Sequence, residues 1–215
     1  MPTWIKICGT TSVEDALVSV AAGADALGFI FAPSPRRVSP EQAQEIAVQL
    51  PEKTERVGVF VNESQERIRA TAEQVGLTAV QLHGTETPEF VAGLFARASR
   101  GRQVGIIKTI LANDQLETNL ALFQRSRANV DSILVDSGSG SGKTFDWHKT
   151  RALLAGPNTR FIIAGGLNPE NVGAAVQELS PWGVDVVSGV ERAPGRKDPE
   201  RLRAFVAAVR KVDQQ

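Results

Sequence analysis

One cysteine and two histidines in 215 residues leave little room for several kinds of chemistry. A single thiol, Cys8, excludes an internal disulfide, and His83 and His148 are too far apart in sequence for zinc-type ligand spacing. Metal dependence is therefore not expected. Charge of one sign is also missing, because 24 Lys and Arg balance 24 Asp and Glu, so no net field draws nucleic acid or an anionic membrane. No apolar run approaches the roughly 20 residues of a bilayer span, and no charged leader precedes a short apolar core. A soluble, cytoplasmic protein is the expectation. No Pro/Ser-rich linker or block of like charge interrupts the chain, so residues 1–215 read as one domain.

What the chain does have is repetition. Short apolar or β-branched runs recur every roughly 22 to 30 residues with helical patterns between them, the mark of repeated βα units. They cover Trp4 to Cys8, Ala26 to Phe31, Arg56 to Val61, Ala79 to His83, Val104 to Thr109, Asp131 to Asp136, Arg160 to Ala164 and Val184 to Ser188. Most are apolar almost throughout, as parallel strands covered on both faces must be. Helix starts are well marked. Thr11 with Glu14 and Ser39 with Gln42 have capping-box spacing, and Pro40, Pro88, Pro169 and Pro199 each follow a Ser, Thr, Asn or Asp. The last helix carries Leu202, Phe205, Val206 and Val209 as one apolar stripe. The expected fold is α/β, a single (β/α)8 TIM barrel. A doubly wound open sheet is the rival, but it needs a strand order that the sequence does not reveal.

In such a barrel the strand carboxyl ends and βα loops build the active site. Those positions hold Cys8, Arg36 and Arg37, His83, Lys108, Asp136, Gly165 and Gly166, and Ser188 and Gly189. Two small-residue turns, Gly165-Gly166 and Ser188-Gly189, would let backbone amides approach an oxyanion at the corner where barrels often bind phosphate. The loop after Asp136 contains Gly140-Ser141-Gly142-Lys143-Thr144. It approaches the nucleotide-binding glycine-lysine pattern only through Gly138 and lacks its acidic-strand context. A glycine-rich loop closing over a substrate, followed by a helix capped by Asp146, is the better account.

Six segments in order carry a resemblance. They are Lys6-Ile7-Cys8-Gly9, Ser34-Pro35-Arg36 with Val38-Ser39, Gln81-Leu82-His83-Gly84, Gly142-Lys143-Thr144-Phe145-Asp146-Trp147, Gly165-Gly166-Leu167-Asn168-Pro169-Glu170-Asn171-Val172 and Ser188-Gly189-Val190-Glu191. Together they resemble phosphoribosylanthranilate isomerases of tryptophan biosynthesis, from the first strand to Pro194-Gly195-Arg196-Lys197-Asp198. The resemblance implies a ribulose-phosphate-binding barrel, an Amadori rearrangement of an aminoaldose phosphate to an aminoketose, a phosphosugar as the small-molecule partner, and no cofactor. It leaves open a monomer or a homodimer.

By the same resemblance Asp136 is the general acid and Cys8 the base, and Arg36 pairs with the anthranilate carboxylate, for which a planar fork suits. The acid must hold a proton and the base must lose one near the working pH, and a cation beside Cys8 would favour the thiolate. Lys6 shares a strand face with Cys8 and is a possible helper, or else a lumen lysine with a structural partner. Arg37 reads as a solvated surface charge. The resemblance makes His83 part of the pocket wall, and a role as base in its own right is the other reading. Asp185 is open between contacts to sugar hydroxyls and a structural role. Gly165, Gly166, Ser188 and Gly189 would hold the phosphate. Two departures stand out: Ser and Gly alternate after Asp136 where the family has a Gly-Gly step, and Val187 replaces a serine. The alternatives are an indole-glycerol-phosphate synthase-like cyclase using Lys6 or Lys108 as acid, and a catalytically silent phosphosugar-binding barrel.

Overall fold

The computed structural model describes residues 1–95, 104–126, 130–138 and 160–215. Eight strands appear in the expected places: β1 (Trp4–Cys8), β2 (Ala26–Ile30), β3 (Glu55–Phe60), β4 (Ala79–Leu82), β5 (Gly105–Leu111), β6 (Ser132–Asp136), β7 (Arg160–Ala164) and β8 (Gly183–Val186). Each pairs in parallel with the next, and β1 pairs with β8 to close the barrel. The helices are α1 (Val13–Ala22), α2 (Pro40–Ala47), α3 (Gln65–Val75), α4 (Pro88–Leu94), α5 (Leu116–Arg125), α6 (Val172–Leu179) and α7 (Pro199–Asp213). A 3₁₀ turn at Ser188–Val190 leads into an antiparallel hairpin, β9 (Glu191–Ala193) and β10 (Arg196–Lys197).

Strand alternation sorts the apolar runs into two layers. The odd-numbered residues of β1 and β6, for example Ile5, Ile7, Ile133 and Val135, face the helices. The opposite set, Trp4, Ala26, Val57, Ala79, Ile107, Leu134 and Ile162, fills the lumen at its amino end. Higher in the lumen the buried residues turn polar: Lys6, Gln81, Thr109 and Asp185. An apolar plug below and a polar layer above create a floor on which a site can stand.

Helix starts follow local chemistry with two shifts. Ser39 and Gln42 form the reciprocal capping box, with Pro40 opening α2; Thr87 caps α4 ahead of Pro88, and Asp198 caps α7 ahead of Pro199. At α1, however, Ser12 is the cap, accepting from the Asp15 amide. Thr11 is drawn away because its hydroxyl donates to the Gly195 carbonyl at 2.7 Å. Pro169 does not open α6 either. The Asn168 side chain accepts from the amides of Glu170 and Asn171, making a separate turn, and α6 begins at Val172.

The stripe Leu202, Phe205, Val206 and Val209 is buried, and α7 lies against α1 and α6. Burial of such side chains contributes about 1.5–3 kcal/mol each. The far end of α7 is latched to the residues just before β1 and β2: Thr3 donates its amide and hydroxyl to Asp213, and Arg210 bonds Asp25 at 3.1 Å.

Candidate active site

Cys8 is the last residue of β1 and points into the lumen, almost wholly buried at 3% exposure. Its neighbour across the ladder is Gly28, where a Cβ would lie 2.6 Å from the Cys8 sulfur. The missing side chain on β2 is the space the thiol occupies. One layer below, Lys6 donates to Asp185 at 2.9 Å, with Lys6 fully buried. Burial alone would pull the Lys6 ammonium down, but Asp185 and Cys8 more than offset it and its pKa is raised. For Cys8 burial is the largest influence and raises the thiol pKa; Lys6 and Lys197 pull it back and Asp185 adds to the rise. The expected cations are thus present, yet they do not outweigh desolvation, and the free protein holds Cys8 as the thiol at neutral pH.

Arg36 crosses directly over the residue after Cys8. Gly9 has φ 75°, and a Cβ there would sit 2.7 Å from Arg36 Cδ. The guanidinium is gripped by Glu191: Nε donates to both carboxylate oxygens at 2.9 and 3.0 Å, and Nη2 to Oε2 at 2.7 Å. Glu191 Oε1 also accepts from Lys197 Nζ at 3.1 Å, and the same ammonium donates to the Cys8 carbonyl at 2.6 Å. Neither Glu191 nor Lys197 was assigned a role from sequence. Both lie in segments that carry the resemblance, but their contacts span up to 189 residues, which no local pattern reports. Arg37 is exposed.

Asp136 ends β6, accepting from the Gly138 amide through Oδ1 at 2.9 Å, with Oδ2 3.5 Å from His83 Nε2. The Gln81 amide nitrogen lies 3.1 Å from His83 Nδ1. Desolvation, the largest influence, lowers the His83 pKa although Asp136 opposes it, which keeps the ring neutral. His83 therefore stands beside the carboxylate as a neutral ring. At Gly165 a Cβ would come within 2.6 Å of Asp136 Oδ1, so glycine there makes room for the carboxylate as well as for the turn.

Gly165 and Gly166 both take positive φ, 92° and 65°, and Gly166 faces open space where a side chain would project. A side chain at Gly189 would overlap the Leu167 carbonyl. The two turns at the ends of β7 and β8 therefore pack backbone to backbone, with Ser188 starting the 3₁₀ turn beside them. This close approach is what small residues at these corners provide.

One position differs from the sequence reading. Lys108 is not at a strand end, since β5 continues to Leu111, and it shares the outward face of Ile106 and Ile110. It bonds Glu86 at 2.8 Å and the carbonyls of Leu82 and Gly84, clamping the loop after β4 from behind. It cannot serve as an acid in the lumen. Asp185 is engaged with Lys6 beneath the thiol. The loop segment 139–147, including the Asp146 cap, and His148 lie outside the described residues. Among the described residues no cluster of His, Cys, Asp and Glu is arranged to hold a metal ion, and no helix is long and apolar enough to cross a membrane. A cavity of about 380 Å³ opens at the opposite, amino end of the barrel, beside stacked Trp4 and Trp182; that face serves stability in barrels of this kind.

Ionisable groups gathered at the carboxyl mouth above a plugged lumen are the build of a (β/α)8-barrel enzyme. Known proteins narrow the class. The family model described as N-(5'phosphoribosyl)anthranilate (PRA) isomerase matches residues 5–208. The chain belongs to that family. It is 43% identical over 208 residues to the N-(5'-phosphoribosyl)anthranilate isomerase of Pelobacter propionicus, covering 94% of this chain and 93% of that one. The crystal structure of the Thermotoga maritima phosphoribosyl anthranilate isomerase superposes with a TM-score of 0.84 at 41% identity, over 97% of this chain and 99% of that one. A phosphoribosyl anthranilate isomerase in complex with reduced 1-(o-carboxyphenylamino)-1-deoxyribulose 5-phosphate gives 0.82 at 40% identity, over 97% of this chain and 99% of that one.

Proposed function

We propose that this protein converts N-(5-phosphoribosyl)anthranilate to 1-(2-carboxyphenylamino)-1-deoxyribulose 5-phosphate, with Asp136 as general acid and Cys8 as general base, acting in the cytoplasm on a small phosphosugar. The observation that carries the reading is the full-length family match joined to a lumen mouth where Cys8, Arg36 and Asp136 all stand on or beside strand ends. In the first step the Asp136 carboxylic acid gives its proton to the furanose ring oxygen. The C1–O bond breaks as the anilino nitrogen lone pair forms the C1=N iminium, and the ring opens. The Cys8 thiolate then takes the proton from C2, the C–H electrons form C1=C2, and the iminium becomes an enolamine. Tautomerisation moves the C2 hydroxyl proton and returns one to C1, giving the aminoketone with no net change in atoms or electrons.

The surroundings suit these roles. Neutral His83 stands with Nε2 3.5 Å from Asp136 Oδ2 and, with its hydrogen on that nitrogen, would stabilise the charge left after proton donation. Lys6 and Lys197 flank Cys8 and favour its thiolate once formed. Arg36 would meet a carboxylate on the aromatic ring, and the glycine turns of β7 and β8 would take the phosphate. The cyclase reading loses support because one of its two proposed acids, Lys108, faces the outer layer and the other, Lys6, is wholly buried against Asp185.

The test is loss of anthranilate-type fluorescence after phosphoribosylanthranilate is generated in place. Wild type should cause decay without carbon dioxide release. Asp136→Asn and Cys8→Ala should each slow turnover by at least about 10²-fold, the usual loss on removing a general acid or base. Binding of the reduced product analogue should persist in both. A wild type that binds the analogue and turns nothing over would instead be a silent phosphosugar binder.

A further inference from the structure

The arginine that meets the substrate does not orient itself. An exposed Arg samples many rotamers, and fixing one costs side-chain entropy. Here the stem is threaded over Gly9, which has no Cβ to block it, and the head is held on one edge only. Nε and Nη2 are engaged by Glu191, while among the described residues Nη1 makes no hydrogen bond. A guanidinium has two forks, one along Nε and Nη2 and one across Nη1 and Nη2. Glu191 occupies the first and leaves the second open.

Glu191 is itself rigidly held. Its side chain is 3% exposed, and besides Arg36 it accepts from Lys197 Nζ at 3.1 Å and from the Gly195 amide at 3.2 Å. Lys197 is 1% exposed, and its amide donates to Asp15 Oδ2 at 3.1 Å on α1. Its ammonium bonds the Cys8 carbonyl. The cluster of Arg36, Glu191 and Lys197 thus carries two positive charges against one negative, leaving one surplus positive charge beside the site. That surplus matches a single carboxylate arriving on a ligand.

We propose that Glu191, braced by Lys197, is a positioning residue that locks the Arg36 fork for the ring carboxylate of the substrate and so sets the preference for an aminoaldose bearing an ortho-carboxylated aromatic amine. The inference rests on the isomerase reading above and adds to it the residue that selects the carboxylate. Glu191 does not touch the reacting atoms. Its removal leaves the acid and base in place while the fork swings, so KM should rise and kcat change little.

The experiment compares two ligands by calorimetric titration: the reduced product analogue, and the same molecule without its ring carboxylate. Glu191→Gln should weaken the carboxylated ligand by about tenfold or more, the scale expected when an oriented contact is misplaced, and leave the decarboxylated one within about twofold. On an Arg36→Ala background the further change from Glu191→Gln should be small for both ligands, because the effect passes through Arg36. Should Glu191→Gln not fold, Glu191→Asp retains the charge for Lys197 but withdraws it from Arg36, and the same selective loss is expected. Equal loss for the two ligands, additivity with Arg36→Ala, or no loss at all overturns the proposal while leaving the isomerase reading intact. A wild type that binds neither ligand overturns both.

Discussion

The space beside the proposed base can be tested by filling it. Gly28→Ala introduces a methyl group whose carbon would lie 2.6 Å from Cys8 Sγ and 3.0 Å from both Cα and Cβ of the same residue. Ordinary contacts between such atoms fall near 3.5–4.0 Å, so the sulfur must retreat by about 1 Å. The backbone contact means that a χ1 change alone does not relieve the clash. The β1–β2 ladder, in register at Cys8 and Gly28, has to spread. Overpacking of this kind costs about 1–3 kcal/mol, less than the stability of an ordinary domain, and the fold should survive. A 1 Å displacement of a reacting group, by contrast, costs on the order of 10²-fold in rate. The comparison is Gly58→Ala on β3, where the new Cβ would meet Leu77 Cδ1 at 2.5 Å, away from Cys8. Both variants should unfold at lower temperature in a calorimetric scan, but only Gly28→Ala should lose kcat in the fluorescence assay. If Gly28→Ala turns over within about twofold of wild type, the thiol is not where the chemistry needs it or is not the base.

Two further expectations follow from the charges. Because burial raises the Cys8 thiol above its ordinary value, alkylation of Cys8 by iodoacetamide should be slow at neutral pH and quicken about tenfold per pH unit as the thiolate fraction grows. A rate flat between about pH 7 and 8 would show that the thiol is already ionised at neutrality. Glu86 is buried, which by itself would raise its pKa, but Lys108 and backbone amides hold it below the usual carboxylate range. A depressed carboxyl contributes stability above its unfolded pKa and loses it as pH falls through the folded value. Glu86→Gln should therefore lower the urea-unfolding free energy at pH 7 by about 3 kcal/mol, the cost of leaving a buried ammonium unpaired, and should flatten the acid side of the stability curve. A change under about 1 kcal/mol at pH 7 would show that water already solvates Lys108.

Much of the barrel could be read from the chain because each strand is a short apolar run and most helices open on a Ser, Thr or Asp cap. Arg160 to Ala164 and Trp4 to Cys8 match the observed strands to the residue. What local pattern could not supply was direction and distance. Lys108 read as a strand-end residue, but β5 runs two residues further, to Leu111, and its alternation turns the ammonium outward. Hairpin β9–β10 is too short and polar to show periodicity, and it exists because Lys197 and Glu191 reach back to Cys8 and Arg36. Thr11 had the capping spacing, but a carbonyl at Gly195 competes for its hydroxyl. Glycines 28 and 165 were visible as letters; that one frees the thiol and the other the carboxylate depends on neighbours from other strands.

The closure of β1 on β8 also sets a timetable for synthesis. Cys8 and Arg36 leave the ribosome well before Glu191 and Lys197, which hold the arginine and the end of the first strand. Until the eighth strand and the hairpin after it have been made, β1 lacks its second ladder partner and Arg36 lacks its clamp.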